Sequence, residues 1–501
     1  MIFRDWLKEL DYTLLQGSVD VETEDVIYDS RKAAPGKVFV AMKGIRVDGH
    51  SFIPQVLKAG VRVLVTERPV EEELKNSGLS EDELKQVTVV MVEEGRHALA
   101  LLSAARFDHP AKKLVMIGVT GTKGKTTTTH MIRAILLAAG KKVGMIGTTG
   151  TVIGYVVTPT LNTTPESYEL HQAFAQMVEA GCEYAVMEVS SQGIKMHRTD
   201  GLYFNYAIFT NISPDHIGPG EHADFEEYLY YKTRLLNMCG IGLVNKDDEH
   251  APQIIKAANC ELYTYSEESK EADFVASDIR YVSQPDFVGT EFHISGKYDM
   301  EVRLGIPGLF NVVNALAAVS VCSFLGLDQA RISHALENIR VNGRMEIVYT
   351  SERCTVLVDY AHNAVSMESL LKTLRDYSPK RLVCVFGCGG NRSKDRRYSM
   401  GEIGGKMADL SIITADNSRY EKVEDIIADI RGSIEKTGGK FIEIPDRREA
   451  IRYSILHAQP GDMVAVIGKG HEDYQEINGV RHHFLDREVI EETVKELGEK
   501  A

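Results

Sequence analysis

Leu114-Val-Met-Ile-Gly-Val-Thr-Gly-Thr-Lys-Gly-Lys-Thr-Thr127 is the stretch that decides the fold of this chain. Leu114 to Ile117 is an apolar, partly β-branched run, the composition of a strand buried in a parallel sheet. Gly118, Gly121 and Gly124 follow, and Lys125-Thr126 opens a periodic pattern that predicts a helix ending near Gly140. Strand, glycine turn and helix in that order suit a phosphate. Glycines let backbone N–H groups curl round an anion, and the helix N-terminus adds partial positive charge. The lysine neutralises phosphoryl oxygens, and the threonine hydroxyl can hold Mg²⁺. Gly121, Thr122, Gly124, Lys125, Thr126 and Thr127 are the expected nucleotide contacts. Five residues separate Gly118 from Gly124, one more than the usual P-loop spacing, so this is a variant of that loop. Its alternative is a glycine-rich βα turn that binds nothing.

At 501 residues the chain exceeds a single core, and ~150 residues per domain suggests about three domains. The formal charge of −15 argues against a general nucleic-acid binder, because affinity for a phosphate backbone comes from excess Lys and Arg. Seven scattered cysteines, an odd number, fit a reducing compartment better than a disulfide framework. Cys384 and Cys388 read as small core residues. The N-terminus shows no secretion signal, and no apolar run approaches the ~18 residues of a membrane span. The expectation is a soluble cytoplasmic protein.

The organisation is α/β throughout. Residues 1–109 carry short strands (38–41, 61–65, 87–92) with helical stretches between, a small α/β unit closed by the break at Phe107-Asp-His-Pro110. In 110–343, strand-like runs at 142–146, 184–189, 206–210 and 241–244 alternate with helical patterns, the signature of a doubly wound, mostly parallel sheet. Ligands of such sheets sit beyond the carboxyl ends of the strands, where Glu188, Asn211 and Asp247-Asp248 fall. Residues 344–501 repeat the logic without a phosphate loop of their own. Strands are expected at 355–359, 381–386, 410–414 and 463–467, and helices at 366–376, 397–407, 423–435 and 448–457, giving a Rossmann-like domain.

Asn162-Thr-Thr-Pro165, Met187-Glu-Val-Ser-Ser191, Thr210-Asn-Ile-Ser-Pro-Asp-His216, Gly308-Leu-Phe-Asn-Val-Val-Asn314, Gly343-Arg-Met-Glu346, Asp359-Tyr-Ala-His362, Gly387-Cys-Gly-Gly-Asn-Arg392 and Gly468-Lys-Gly-His-Glu-Asp-Tyr-Gln475 follow the loop in this order. Together they resemble the Mur ligase family, ATP-dependent amide-bond formers of peptidoglycan precursor synthesis, over nearly the whole chain. The similarity is greatest to the MurE-type subgroup, which adds the third residue to UDP-N-acetylmuramoyl-L-alanyl-D-glutamate. Tyr28-Asp-Ser-Arg31, Gly36-Lys-Val-Phe39 and Asp48-Gly-His50 resemble that subgroup's UDP-binding domain.

The resemblance implies roles residue by residue. Lys125 and Thr126 match positions at the γ-phosphate and Mg²⁺, and Glu188 and His216 match positions around a second metal. Lys232 matches a lysine that is carbamylated to help organise Mg²⁺; its alternative is an ordinary helix-surface lysine. Adenine and ribose contacts map to Asn311, Asn314, Arg344 and Asp359, the two asparagines being three apart on an expected helix start, where an Asn can instead serve as a cap. His362 and Lys394 are further candidates near the phosphates. The nucleotide-linked precursor is implied to meet Ser30, Thr163, Thr164, Ser190 and Arg198. Gln192 and Met196 depart from the pattern, which has His and often Gln there, and Gly218-Pro-Gly-Glu-His222 is an insertion relative to it.

The incoming amino acid is implied to meet Ala415-Asp-Asn-Ser-Arg419, with Arg392, Gly468 and Glu472. In the diaminopimelate-using subgroup the motif is Asp-Asn-Pro-Arg. Asp416, Asn417 and Arg419 are kept here, and Ser418 replaces the proline. Guanidinium suits the distal carboxylate of meso-diaminopimelate and repels the distal ammonium of lysine. The alternative for Arg419 is a surface ion pair with Glu421 or Asp416. The expected protein is a monomeric, three-domain ligase that closes on ATP, UDP-MurNAc-L-Ala-D-Glu and a diamino acid with Mg²⁺. Two alternatives stay open: the same chemistry with L-lysine or another acceptor, as in folylpolyglutamate or cyanophycin-type ligases, and a non-catalytic nucleotide-binding scaffold.

Overall fold

The computed structural model describes residues 1–44 and 47–498 and divides into two compact units, Met1–Tyr265 and Ser266–Ala501. The first unit opens with a five-stranded sheet. Its order is Thr13–Gln16, Thr88–Met91, Val63–Thr66, Lys37–Val40, Asp25–Ile27, all parallel except the first. The strands Lys37–Val40 and Val63–Thr66 are almost continuously buried, as a sheet covered on both faces requires. Phe3, Trp6 and the helix Gly95–Arg106 pack on one face, and the helix Ile53–Lys58 on the other.

The second sheet of this unit places Val115–Thr120 between Phe204–Phe209 and Tyr184–Glu188. Val143–Gly147 lies outside Tyr184–Glu188, and Cys239–Asn245 then Glu261–Ser266 lie outside Phe204–Phe209, all parallel. The helix Lys125–Ala138 leaves the central strand toward one side of the sheet, and later strands fill the other. The loop after Thr120 is therefore the topological switch point, where an open α/β sheet presents a crevice. Gly150–Ile153 and Val156–Thr158 add an antiparallel edge.

The second unit begins with an antiparallel meander, Phe274–Gln284, Phe287–Gly296 and Met300–Leu304, followed by the long buried helix Leu309–Phe324. The expectation of a mostly parallel arrangement through residue 343 did not include this meander. Met300–Leu304 and the second half of Phe287–Gly296 alternate buried with more exposed side chains, the pattern of a sheet wetted on one face, and Phe274–Gln284 is buried only over its first three residues. A six-stranded sheet follows, in the order Glu346–Thr350, Cys354–Asp359, Asp462–Ile467, Arg381–Phe386, Leu410–Ile413, Phe441–Glu443. Only its first strand is antiparallel. The helices Ala364–Asp376, Lys394–Met407, Val423–Thr437 and Arg447–Leu456 agree with the expected spans to within a few residues. All seven cysteines are free thiols, and Cys384 and Cys388 are buried core residues as expected. Among the described residues no helix is long and apolar enough to cross a membrane.

Candidate active site

In the first unit the chain leaves the central strand at Thr120 and turns through Gly121, whose φ of 143° only glycine adopts comfortably. A Cβ there would lie 1.9 Å from the Thr210 hydroxyl, so the close approach also excludes a side chain. Asn211, just past the neighbouring strand, holds the loop: its carbonyl accepts from Thr122 N (2.8 Å) and its side-chain oxygen from Lys123 N (2.9 Å). Gly124, in left-handed conformation, is the N-cap of the helix Lys125–Ala138. Lys125 Nζ folds back to donate to the carbonyls of Gly121 (2.7 Å) and Thr122 (3.1 Å).

The next residue carries the loop to a buried carboxylate. Thr126 Oγ1 donates to both oxygens of Glu188 at 3.0 Å, and Thr148 adds its amide (2.9 Å) and hydroxyl (3.2 Å). Glu188, the last residue of its strand, is fully buried. A hydroxyl and a carboxylate side by side at a phosphate loop form a hard-oxygen donor set, which fits Mg²⁺.

Lys232 is 2% exposed, which excludes the surface-lysine alternative. It lies in the helix Phe225–Thr233, donates to the Gly121 carbonyl at 2.8 Å, and its Nζ is 4.5 Å from the centre of the Tyr228 ring. Burial pushes its pKa well below the usual lysine value, the nearby Lys125 charge pushes the same way, and Asp215 opposes both. The Tyr228 hydroxyl is 3.1 Å from that of Thr122. His216 borders this group: its ring is exposed, lies 6.2 Å from the Tyr228 ring centre and meets Glu221 at 3.0 Å. Among the described residues it is not a hydrogen-bond partner of Glu188.

Around the end of the Tyr184–Glu188 strand, Thr164 is buried and its hydroxyl is fully engaged, donating to the Glu188 carbonyl and accepting from Ser190 N, both at 3.0 Å. Thr163 meets the Thr148 hydroxyl at 3.1 Å. Arg198 grips the Thr164 carbonyl (3.0 Å) and Glu166 (2.7 Å). Ser30 opens a short turn, Ser30–Lys32, capped by Asp29, at the N-terminal sheet. The sequence reading passed over His222, which is completely buried with Nε2 2.9 Å from the Ser191 hydroxyl. The inserted segment thus delivers an imidazole to Ser191, the residue before Gln192.

The second unit carries the remaining candidates. Asn311 and Asn314 are buried on one face of their helix; Asn314 Nδ2 donates to Asn311 Oδ1 (3.2 Å), and Asn311 Nδ2 to the Pro307 carbonyl (2.7 Å). The N-cap is Gly308, so neither asparagine is a cap. Asp359 ends its strand and accepts from the amides of Met345 and Ala361, each at 2.8 Å. Burial raises its pKa against those bonds and the Arg344 charge. Arg344 stacks 4.7 Å from the Tyr360 ring centre. His362 binds the Tyr360 carbonyl, whereas Lys394 is an exposed partner of Asp429.

Asp416 and Asn417 follow the Leu410–Ile413 strand, and Gly468 follows Asp462–Ile467, so the expected amino-acid residues share one end of a parallel sheet. Asn417 Nδ2 donates to Glu472 (3.0 Å), and the wholly buried Lys469 bridges both side chains at 3.3 Å. Lys469 was not among the expected residues, although its place between Gly468 and Glu472 is a signal for it. Arg419 adopts φ 50°, donates to the Gly390 carbonyl (2.7 Å) and pairs with Glu476 (3.6 Å), not with the Glu421 or Asp416 of its alternative reading as a surface ion pair. A Cβ placed on Gly389 would sit 3.3 Å from the Arg419 guanidinium and 3.8 Å from Arg392 Cγ, so the two arginines flank one glycine. Beneath them the Arg447–Asp486 fork (2.7 Å on each arm) is fully buried and ties the Ile467 and Ala415 carbonyls.

Three family models match in sequence. They are the Mur ligase family catalytic domain over residues 23–107, the Mur ligase middle domain over 119–322, and the Mur ligase glutamate ligase domain over 343–470. A protein of Caldanaerobacter subterraneus subsp. tengcongensis named UDP-N-acetylmuramoyl-L-alanyl-D-glutamate--2,6-diaminopimelate ligase is 38% identical over 498 residues, covering 98% of each chain. One of Clostridium perfringens with the same name is 37% identical, covering 98% of this chain and 99% of its own. A solved structure bearing that name superposes with TM-score 0.72 at 30% identity, covering 95% of this chain and 96% of the other. The MurF ligase of Thermotoga maritima in complex with ADP superposes at 0.57 with 19% identity, covering 95% of this chain and 97% of its own, a likeness of fold alone.

Proposed function

Because the chain belongs to the Mur ligase family, we propose that it is an ATP-dependent, ADP-forming ligase of the MurE type. It adds meso-diaminopimelate to UDP-MurNAc-L-Ala-D-Glu. Residues 1–109 take the UDP-linked precursor, 110–343 the ATP, and 344–501 the amino acid. It acts as a monomer in the cytoplasm.

A carboxylate does not react with an amine until one of its oxygens becomes a good leaving group. The D-glutamyl carboxylate attacks the γ-phosphorus of ATP, ADP departs, and an acyl phosphate forms. The diaminopimelate nitrogen then attacks the acyl carbon, loses its proton, and expels phosphate as the amide forms. Lys125 and the loop amides of 121–126 neutralise the transferring phosphoryl group. Mg²⁺ would supply Lewis-acid neutralisation of the crowded anions; Thr126 would hold it at the nucleotide, and Glu188, His216 and Lys232, once carbamylated, would hold a second ion. Asn311, Asn314, Arg344 and Asp359 take the nucleoside; Ser30, Thr163, Thr164, Ser190 and Arg198 serve the precursor. Arg392 and Arg419 receive carboxylates of the diamino acid, alongside Asp416, Asn417, Gly468 and Glu472.

The observation that carries this reading is the buried Lys232 amine, held on the Gly121 carbonyl of the phosphate loop. A phosphate-release assay crossing the UDP-linked dipeptide with meso-diaminopimelate, L-lysine and L-ornithine tests it. Release is expected only when ATP, the precursor and meso-diaminopimelate are all present. Equal release with lysine overturns the substrate assignment, and release without any amino acid overturns the ligase.

A further inference from the structure

The first unit carries a cluster that the ligase reaction does not use. His97, His197 and Asp200 are each half-buried, and one ligand atom of each lies within 4.8 Å of the other two. Among the described residues they are the one such group of three. His97 stands in the first turn of the helix Gly95–Arg106, with its amide held by the Glu94 carboxylate at 2.6 Å. His197 comes a hundred residues later, just past the helix Ser191–Lys195. That helix closes with Arg198 N donating to the Gly193 carbonyl (2.9 Å) and His197 N to that of Ile194 (3.0 Å). This double closure ordinarily has glycine at the left-handed position. Here histidine fills it at φ 56°, a conformation disfavoured for a side chain, and its imidazole is turned toward His97, ring centres 6.3 Å apart.

Asp200 Oδ2 lies between the two rings, 2.6 Å from His97 Nδ1 and 2.8 Å from His197 Nδ1. We propose that His97, His197 and Asp200 form a binding site for a divalent transition-metal ion of the Zn²⁺ class, joining the helix Gly95–Arg106 to the segment that carries Arg198. Two imidazoles and a carboxylate are the donor set such ions prefer, and a hard ion such as Mg²⁺ does not select it. Ligand bonds of ~2.0–2.1 Å require the donor atoms to stand about 3–3.4 Å apart. Opening the two Asp200 contacts of 2.6 and 2.8 Å by roughly half an ångström brings both carboxylate–imidazole separations to that requirement. The side chains keep 44%, 40% and 23% of their exposure, leaving an open face for water ligands. Glu94 adds negative charge next to His197. Arg96 and Arg198 share Glu166 beside the site (3.1 and 2.7 Å), so part of the arginine charge there is already neutralised.

The test uses the full chain, stripped with chelator and titrated with Zn²⁺ by calorimetry and with Co²⁺ by visible absorption. Both titrations contain millimolar Mg²⁺ so that oxygen-rich sites are filled. One equivalent of Zn²⁺ is expected to bind at micromolar concentration, with a Co²⁺ d–d band to match. His97→Ala, His197→Gly and Asp200→Asn should each weaken that equivalent at least tenfold. His197→Gly relieves the left-handed backbone, so its loss of metal does not arise from misfolding; circular dichroism and melting temperature confirm that each variant is folded. Zn²⁺ binding that is unchanged in all three folded variants, or no saturable equivalent in the parent chain, overturns the site. The ligase assignment stands or falls separately, since no substrate enters this assay.

Discussion

Lys232 shows how a single residue's chemistry is set by its surroundings. A free amine near pKa ~10.4 is protonated at neutral pH and does not add CO₂. Burial and the Lys125 charge both depress this one, which favours the neutral, nucleophilic form of the amine. With ¹³C-bicarbonate, one carbamate carbon signal is expected from the parent chain and none from Lys232→Ala, whose kcat should fall at least a hundredfold. A variant that keeps full turnover contradicts the role. Arg419 is the second residue on which the proposed reading turns. Its guanidinium is aimed by the Gly390 carbonyl and loosely by Glu476, leaving donors for a carboxylate. Losing charge-assisted bonds worth about 1.5–3 kcal/mol corresponds to roughly a 10–100-fold rise in KM for meso-diaminopimelate in Arg419→Ala. KM for ATP should stay unchanged; a matching rise for ATP would place Arg419 elsewhere.

Elements follow the same logic one scale up. The helix Ser167–Glu179 buries His171 with both ring nitrogens unpartnered among the described residues, edge-on to Phe174. Burial lowers its pKa from 6.5 to about 3. The unfolded chain therefore takes up a proton near pH 6.5 that the folded chain refuses until about pH 3, and stability falls as pH drops through that window. His171→Phe should flatten this dependence, giving a smaller loss of urea midpoint between pH 7.5 and pH 5 than the parent shows. An identical loss in both would assign the acid sensitivity to other groups. Strands and helices of this kind were legible because burial writes itself into local periodicity: the expected spans at 184–189, 381–386 and 423–435 match the observed elements closely. The 274–304 meander and the buried Lys469 and His222 were not legible. The meander pairs neighbouring strands whose burial alternates only in part, and Lys469 and His222 are buried polar residues that carry no apolar rhythm.

At the scale of the molecule, a five-stranded sheet, the sheet built round Val115–Thr120 and a six-stranded sheet follow one another along the chain, and the phosphate loop occupies the switch point of the second. Motif order conveyed the family because each motif sits at a strand end or helix start, where backbone geometry restricts residue choice. The His97–His197–Asp200 cluster stayed hidden for the opposite reason: its members come from segments a hundred residues apart and form no motif. On the proposed reading, the buried Thr126–Glu188 pair and Lys232 serve one chemical end, transfer of a phosphoryl group to a carboxylate oxygen before an amine arrives. Following isotope through the reaction tests that sequence most directly. With ¹⁸O in the D-glutamyl carboxylate of the precursor, each turnover should place one ¹⁸O in inorganic phosphate and none in the nucleotide. Unlabelled phosphate, or label recovered in AMP, would contradict the acyl-phosphate route.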